Sequence, residues 1–252
     1  MKLGAQLFTL RKQMTTPEEI EAGLERVAKI GYKCVQVSGI GEIDPQKLRD
    51  ICDRLGLEIA VTHIPPKEYE NGVDKVIEKH DIYGCKYIGL GALPRPSGQN
   101  AYDYFDEFVK TFSEYVGAFT KAGKVFTYHN HQFEFEKRDG ITLLDRIMDS
   151  IPDMMLTLDC YWVNYGGADV CDVIDKYAGR IDCVHLKDYG IIGKEIKMMP
   201  VGEGNMNYPK ILEHLEKAGV KYALVEQDDC NGEDPFECLE RSYNYLKEYF
   251  EV

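Results

Sequence analysis

Eight short apolar runs, each followed by an amphipathic stretch, set the tightest limit on what this chain can fold into. The runs fall at residues 3–8, 34–37, 58–62, 87–90, 125–129, 155–158, 183–186 and 223–226. They are four to six residues long and mostly apolar, which is the pattern of strands covered on both faces of a parallel sheet. The stretches between them carry helix punctuation. Thr16-Pro17-Glu18-Glu19 supplies an N-cap, a proline at the first helical position and acids in the first turn. Gly31, Gly56 and Gly219 stand where helices are expected to close. Between residues 102 and 122, Tyr102, Phe105, Phe108, Val109, Phe112, Val116 and Phe119 recur at three-to-four spacing. That stripe is the buried face of a helix, not a cofactor box.

Eight strand–helix alternations in 252 residues place the chain in the α/β class as a (β/α)8 TIM barrel, for which ~250 residues is the usual length. An open, doubly wound dinucleotide-binding sheet is disfavoured, because no G-x-G-x-x-G turn follows the first strand. We expect one domain over residues 1–252, with no linker, repeat or low-complexity tract. Two stretches, 92–100 and 189–207, read as loops, and the second is long enough to suggest a functional role.

Charge narrows the function. With 43 acidic and 30 basic residues the net charge is −13, and no basic patch stands out, so nucleic acid is not an expected partner. Nothing approaches an apolar membrane span, nor does the N-terminus carry the apolar core of a signal peptide. The eight cysteines are scattered without a C-x-x-C pair and are read as free thiols, which suits a cytoplasmic protein.

In a barrel, reactive side chains project from the C-terminal ends of the strands. His63 follows strand three, and His129, His131 and Glu134 follow strand five. Asp159 ends strand six, His185 ends strand seven and Glu226 ends strand eight. Each has a plain structural reading: a lone histidine is usually a satisfied hydrogen-bonding group, and Asp159 could be a helix N-cap. Their convergence on one axis argues otherwise. Carboxylates brought together repel one another, and a divalent cation resolves the repulsion while supplying a Lewis acid. The N and O donors suit Mn, Zn, Fe or Co better than Ca, and Mg is kept among the candidate ions. His80 and His214 fall within helices and are expected on the surface.

With these residues in place, the chain resembles the sugar phosphate isomerase/epimerase family. These are the xylose isomerase-like barrels, which also include inosose dehydratases, ketose 3-epimerases and endonuclease IV. The resemblance runs along essentially the whole chain. It rests on Gly4-Ala5-Gln6-Leu7-Phe8-Thr9-Leu10-Arg11, His129-Asn130-His131 with Glu134-Phe135, and Leu158-Asp159. Val184-His185-Leu186-Lys187-Asp188, Val201-Gly202-Glu203-Gly204 and Val225-Glu226-Gln227-Asp228 complete it. It implies metal ligands from strands five to eight, and Asp159, His185 and Glu226 match position by position. Strand five departs, with His129 on the usual carboxylate position. Either His129 replaces that ligand or Glu134 reaches back, and Glu134 is slightly favoured because it keeps the family's ligand charge. Strand two departs as well, with Gln36 where many relatives carry Glu.

The resemblance implies a metal-assisted proton transfer beside the carbonyl of a small sugar or sugar phosphate. The metal would hold adjacent oxygens and stabilise an enediolate. Glu226, His129 and His131 are the acid–base candidates, and His63, Arg11 and Lys187 the expected substrate contacts. Isomerisation or epimerisation is the leading reading. A dehydratase or keto-glycoside lyase, which expels a β-leaving group after the same proton abstraction, is the alternative. An endonuclease would need more ligands and a basic groove. A non-catalytic sugar-binding barrel is a further alternative, and homo-oligomerisation carries no signal in the sequence.

Overall fold

The alternation closes into a ring. In the computed structural model, which describes residues 1–250, the barrel strands are β1 (Lys2–Gln6), β2 (Cys34–Val37), β3 (Glu58–His63) and β4 (Tyr87–Leu90). They continue with β5 (Val125–His129), β6 (Met155–Asp159), β7 (Ile181–Leu186) and β8 (Tyr222–Val225). Each pairs in parallel with its sequence neighbours, and β8 pairs with β1 to shut the barrel. One principal helix follows each strand: α1 (Pro17–Ile30), α2 (Pro45–Leu55), α3 (Val73–Ile82), α4 (Phe105–Lys121), α5 (Leu143–Ser150), α6 (Val170–Lys176), α7 (Tyr208–Lys217) and α8 (Pro235–Leu246). The (β/α)8 expectation holds, with strand ends displaced by one or two residues. The two-residue displacements are at the start of β7 and at the end of β1, where Leu7–Leu10 forms a 3-10 turn and Gln6 accepts a hydrogen bond from the Phe8 amide.

Local chemistry explains the boundaries. Thr16 and Glu19 form a reciprocal capping box that starts α1. Gly56 ends α2 in a left-handed conformation, φ +68°. The aromatic stripe starts α4 at Phe105, after a 3-10 turn at Ala101–Tyr104. Its Phe108, Phe112, Val116 and Phe119 are buried, and Phe112 and Phe119 pack on Phe126 of β5.

Alternation along each strand sends every second side chain to the barrel interior. The lower part holds a small cluster of Cys34, Ala60, Tyr87, Cys183 and Leu224. Gly4 leaves room for it: a Cβ there would lie 2.5 Å from Cys34 Sγ and 2.6 Å from Cys34 O. Gly4→Ala is therefore expected to destabilise the fold by ~1–3 kcal/mol through overpacking, measured as a shift of the denaturant midpoint. An unchanged midpoint would show that the interior yields freely. The upper part is polar, and there the same alternation delivers Gln36, His129, Asp159, His185 and Lys187 to one end.

Two sequence expectations are corrected. Residues 189–207 are not irregular throughout: Asp188–Ile192 and Glu195–Met199 form an antiparallel hairpin. His80 is not on the surface but fully buried. One ring nitrogen lies 2.7 Å from the Val76 carbonyl and the other 2.7 Å from Thr62 Oγ1. His214 is partly exposed, beside Asp175.

Burial holds the His80 imidazole down at about 4, with the Val76 carbonyl only partly offsetting it. The unfolded chain, with an ordinary histidine near ~6.5, therefore takes up this proton first. The stability His80 contributes is complete above pH ~6.5 and is lost as pH falls toward 4. Linkage sets that loss at about 3 kcal/mol. His80→Gln should lose less stability than the parent between pH 7 and 4.5 in urea titrations, and parallel losses would show that His80 does not carry the effect.

All eight cysteines are unpaired, and seven are buried. No helix among the described residues is long and apolar enough to cross a membrane.

Candidate metal centre and substrate cavity

At the C-terminal end of the barrel His129, Asp159, His185 and Glu226 are all buried. Each brings one donor atom within 4.8 Å of the others. Ligands ~2.1 Å from one ion are at most ~4.2 Å apart, so the group needs to draw in only slightly to share a cation.

Both histidines turn one ring nitrogen into the group. His129 Nδ1 lies 2.9 Å from the Gly91 carbonyl and donates to it, which leaves Nε2 facing Asp159 Oδ2 at 3.2 Å. His185 Nε2 donates to Gln36 Oε1 at 2.7 Å, which turns Nδ1 toward Glu226 Oε2 at 2.9 Å and Asp159 Oδ2 at 3.6 Å. Anchoring the outer nitrogen of each ring on a protein oxygen fixes the tautomer and presents the inner lone pair, the usual support of a metal-binding imidazole. His185 Nδ1 and Glu226 Oε2 are buried and face each other across the group at 2.9 Å. The residues present fit a divalent ion.

Asp159 serves two purposes. Its Oδ1 caps the helix Cys160–Tyr165 by accepting from the Trp162 amide at 2.9 Å, while Oδ2 faces the cluster. Asn130, whose contribution the sequence reading missed, holds this strand end in place: its Oδ1 accepts from the Asp159 amide at 2.9 Å.

Glu134 lies outside the group of four, contrary to the slight preference for it as the strand-five ligand. It sits in the 3-10 turn Gln132–Phe135, where its carboxyl accepts from Tyr128 OH at 2.5 Å and from the His131 amide at 2.8 Å. Burial pushes its pKa up to about 8, despite those two donors. Five residues past the end of β5, the chain has already curled back, so Glu134 braces His131 instead of reaching the axis. His129 occupies the strand-five place.

Lys187, fully buried, carries the positive charge. Its Nζ lies 2.9 Å from Glu226 Oε2, 2.9 Å from Asp228 Oδ2 and 3.1 Å from Asp159 Oδ2. Burial alone would raise the Asp159 and Glu226 carboxyls, yet Lys187 and the neighbouring histidines hold both well below the carboxylate range. Asp228 goes the other way, up to about 6, through burial and the Glu226 charge. The ammonium thus shares two of the four donor residues, and a metal entering the group must take those contacts over.

A cavity of about 1140 Å³ opens above this centre. It is lined by His63, His129, His131, Lys187, Glu226 and Asp228 at its base and by loops after β2, β3 and β4. His63 Nε2 and His131 Nδ1 are buried without partners, and the His63 ring lies 5.2 Å from His129 and 5.5 Å from His185. Burial, reinforced by the His129 charge, pulls His131 down to about 3. Arg11 does not line the cavity. Its guanidinium donates to the carbonyls of Phe8 and Asp228 and lies over the Phe8 ring, so it braces the loop after β8.

Gln36, noticed in the sequence only as a departure, has a definite task here. Gln36→Ala removes the acceptor that sets the His185 tautomer and should weaken metal binding ~10–100-fold, as read by competition with a chromogenic chelator. Unchanged affinity would show that His185 is oriented by other contacts.

Comparison with known proteins places these features in context. A family model for xylose isomerase-like TIM barrels matches residues 24–249. The chain is 25% identical to an inosose dehydratase of Clostridium perfringens, over 90% of this chain and 89% of that protein. A crystal structure of a sugar phosphate isomerase/epimerase from Parabacteroides distasonis superposes with a TM-score of 0.79 at 26% identity, covering 98% of this chain and 93% of that one. A probable 3-DHS dehydratase of Bacillus anthracis superposes at 0.74 with 15% identity, covering 98% and 99%, and shows the shared fold alone.

Proposed function

The chain belongs to the xylose isomerase-like TIM-barrel family, and from that premise we propose that it is a divalent-metal-dependent enzyme that eliminates water from a small polyhydroxy ketone. The observation that carries the metal is the pair of histidines, His129 and His185, each with its outer nitrogen bound to a protein oxygen and its inner nitrogen facing Asp159 or Glu226. A divalent ion held by His129, Asp159, His185 and Glu226 would supply a Lewis acid for the oxygens beside the reacting carbon.

The chain's own groups divide the remaining work. His131 Nδ1, buried, unpartnered and at the cavity wall, takes the proton from the carbon next to the carbonyl. The electron pair of that C–H bond forms the new C=C bond as the β-hydroxyl departs. His131 returns the proton to the leaving oxygen, so that water is released and the imidazole ends neutral. Lys187 and His63 hold substrate oxygens, and Glu134 fixes the turn that presents His131.

Elimination is preferred over epimerisation because of strand two. Inverting a carbon calls for acid–base groups on both of its faces, and the strand-two position holds Gln36, an amide already committed to His185. The curated relative that acts as a dehydratase, 25% identical over nine-tenths of this chain, supports the same choice. The similarity to the Parabacteroides isomerase/epimerase favours a second reading, in which the proton returns to carbon.

Incubation of the metal-loaded protein with a 2-keto-inositol in heavy water separates the readings. Mass spectrometry should find a product lacking one water. Deuterium incorporation with altered configuration and no water loss would move the assignment to epimerisation. Neither exchange nor elimination with any of a panel of ketoses would overturn the proposal.

A further inference from the structure

We infer that the outer part of the cavity receives an apolar substituent, an aryl or alkyl group that the substrate carries in addition to its polyhydroxy ketone. This deepens the functional reading above and rests on it for the ketone alone.

The first observation is size and lining. The cavity, at about 1140 Å³, is larger than the ~300–1,000 Å³ that suits a drug-sized ligand. A small polyhydroxy ketone seated on the metal centre fills only the base, where His63, His129, His131, Lys187 and Glu226 stand. The remainder lies among the loops that follow β2, β3 and β4, and there the walls change character. Val37, Ile40 and Ile43 line it from the first loop, Ile64 and Pro65 from the second, and Pro94 from the third. The charged side chains of this part are mostly spent on the protein itself. Asp44 caps α2 by accepting from the Lys47 amide, and Lys79 pairs with Glu68 at 2.9 Å. Glu42 is exposed at the rim, and Arg95, 3.7 Å from the Phe133 ring centroid, binds the Gln99 carbonyl through Nε and keeps its Nη groups free. A sugar hydroxyl placed against Ile40 and Ile43 would lose its water without gaining a partner. A hydrocarbon group would gain by the same transfer.

The second observation is that this apolar wall is held open. Flexible loops carrying such side chains would close on one another and bury them. Here the backbone prevents it. The Gly41 amide donates to the Met14 carbonyl at 2.8 Å, and a Cβ on Gly41 would collide with the Thr15 carbonyl. Gly39, at φ +68°, approaches Phe8 so closely that a Cβ would lie 2.5 Å from its ring. The loop after β2 is thereby pinned against the segment that follows β1, while Pro65, Pro66 and Pro94 stiffen the two neighbouring loops. Val37, Ile40 and Ile43 consequently stay half-buried, packed on the core by one side and facing the cavity with the other. A preformed apolar concavity continuous with a few convergent polar groups is the ordinary form of a small-molecule site, so the occupant is part of the substrate itself.

The test is calorimetric titration of the metal-loaded protein with methyl 3-keto-β-D-glucopyranoside and its phenyl counterpart. The phenyl compound should bind about 10–100-fold tighter, the gain from taking one aromatic ring out of water, and with a more negative heat-capacity change. Ile40→Ser combined with Ile43→Ser should bring the two affinities close together. Equal affinities in the parent protein, failure of both compounds to bind, or a phenyl preference that survives the double substitution would overturn the inference. Turnover in the same samples separates it from the functional reading. A phenyl preference without elimination from either compound would end the functional reading and leave the inference standing. Elimination with equal affinities would do the reverse.

Discussion

In the presence of a chelator, Lys187→Met should unfold at a markedly lower temperature than the parent protein, and added Mn or Zn should restore most of the difference. Lys187 is the one ammonium among two buried carboxylates, Asp159 and Glu226, and the partly exposed Asp228. Removing one partner of a buried ion pair leaves uncompensated charge and costs ~3–5 kcal/mol. For a chain of this size that is on the order of 10 °C in Tm. A divalent ion supplies the missing charge and no longer competes with the ammonium for Asp159 and Glu226, so the variant should also bind metal more tightly than the parent. The measurement is a thermal melt with and without metal. Equal melting of the two proteins in chelator would show that the ammonium is not the counter-charge of this cluster.

The second large effect is expected from the carboxylates. Asp159→Asn and Glu226→Gln should each lose the bound metal and reduce turnover by ~10³-fold or more, within the range spanned by loss of a single catalytic group. Elemental analysis gives the metal, and the water-elimination assay gives the rate. The two variants are not equivalent in stability. Asp159 also caps the helix Cys160–Tyr165 through Oδ1, and asparagine is as good a cap, so Asp159→Asn should keep the fold. Retention of metal by both variants would remove the centre from the argument. Loss of turnover in Glu226→Gln with unchanged ketose affinity would exclude a purely binding barrel.

The barrel was legible because its signal is local. Strands covered on both faces leave short apolar runs, and the caps at Thr16 and Gly56 need only neighbours a few residues away. The placement of Asp159, His185 and Glu226 at one end followed from the same rule, since each stands at a strand terminus. What the sequence concealed depends on contacts between distant segments. Counting charge favoured Glu134 over His129, whereas the side chain at the last position of β5 points to the axis and the one in the following turn curls beneath His131. The engagement of Arg11 with the carbonyl of Asp228, far along the chain, left no mark in the sequence. Neither did the backbone amides of Tyr189, Gly202, Gly204 and Met206 that close on the Asp188 carboxylate. His80 is different, because a local signal existed. It stands four residues after Val76 and seven after Val73, on the apolar stripe of α3, and only its polarity suggested exposure. Its partner Thr62, on the neighbouring strand, is what makes that burial tolerable.

The short helix capped by Asp159 has a practical consequence. It carries Trp162, the only tryptophan in the sequence, whose backbone amide is bonded to Asp159 and whose indole packs 5.6 Å from the His131 ring. The Lys187 ammonium lies 5.5 Å from the same indole. Indole emission responds to nearby charge and to quenching by imidazole, so any ion that displaces the ammonium, and any ligand that settles against His131, will alter the light this residue emits. The protein therefore carries an optical probe directly behind two side chains of its own site, and occupancy can be followed in the unlabelled chain.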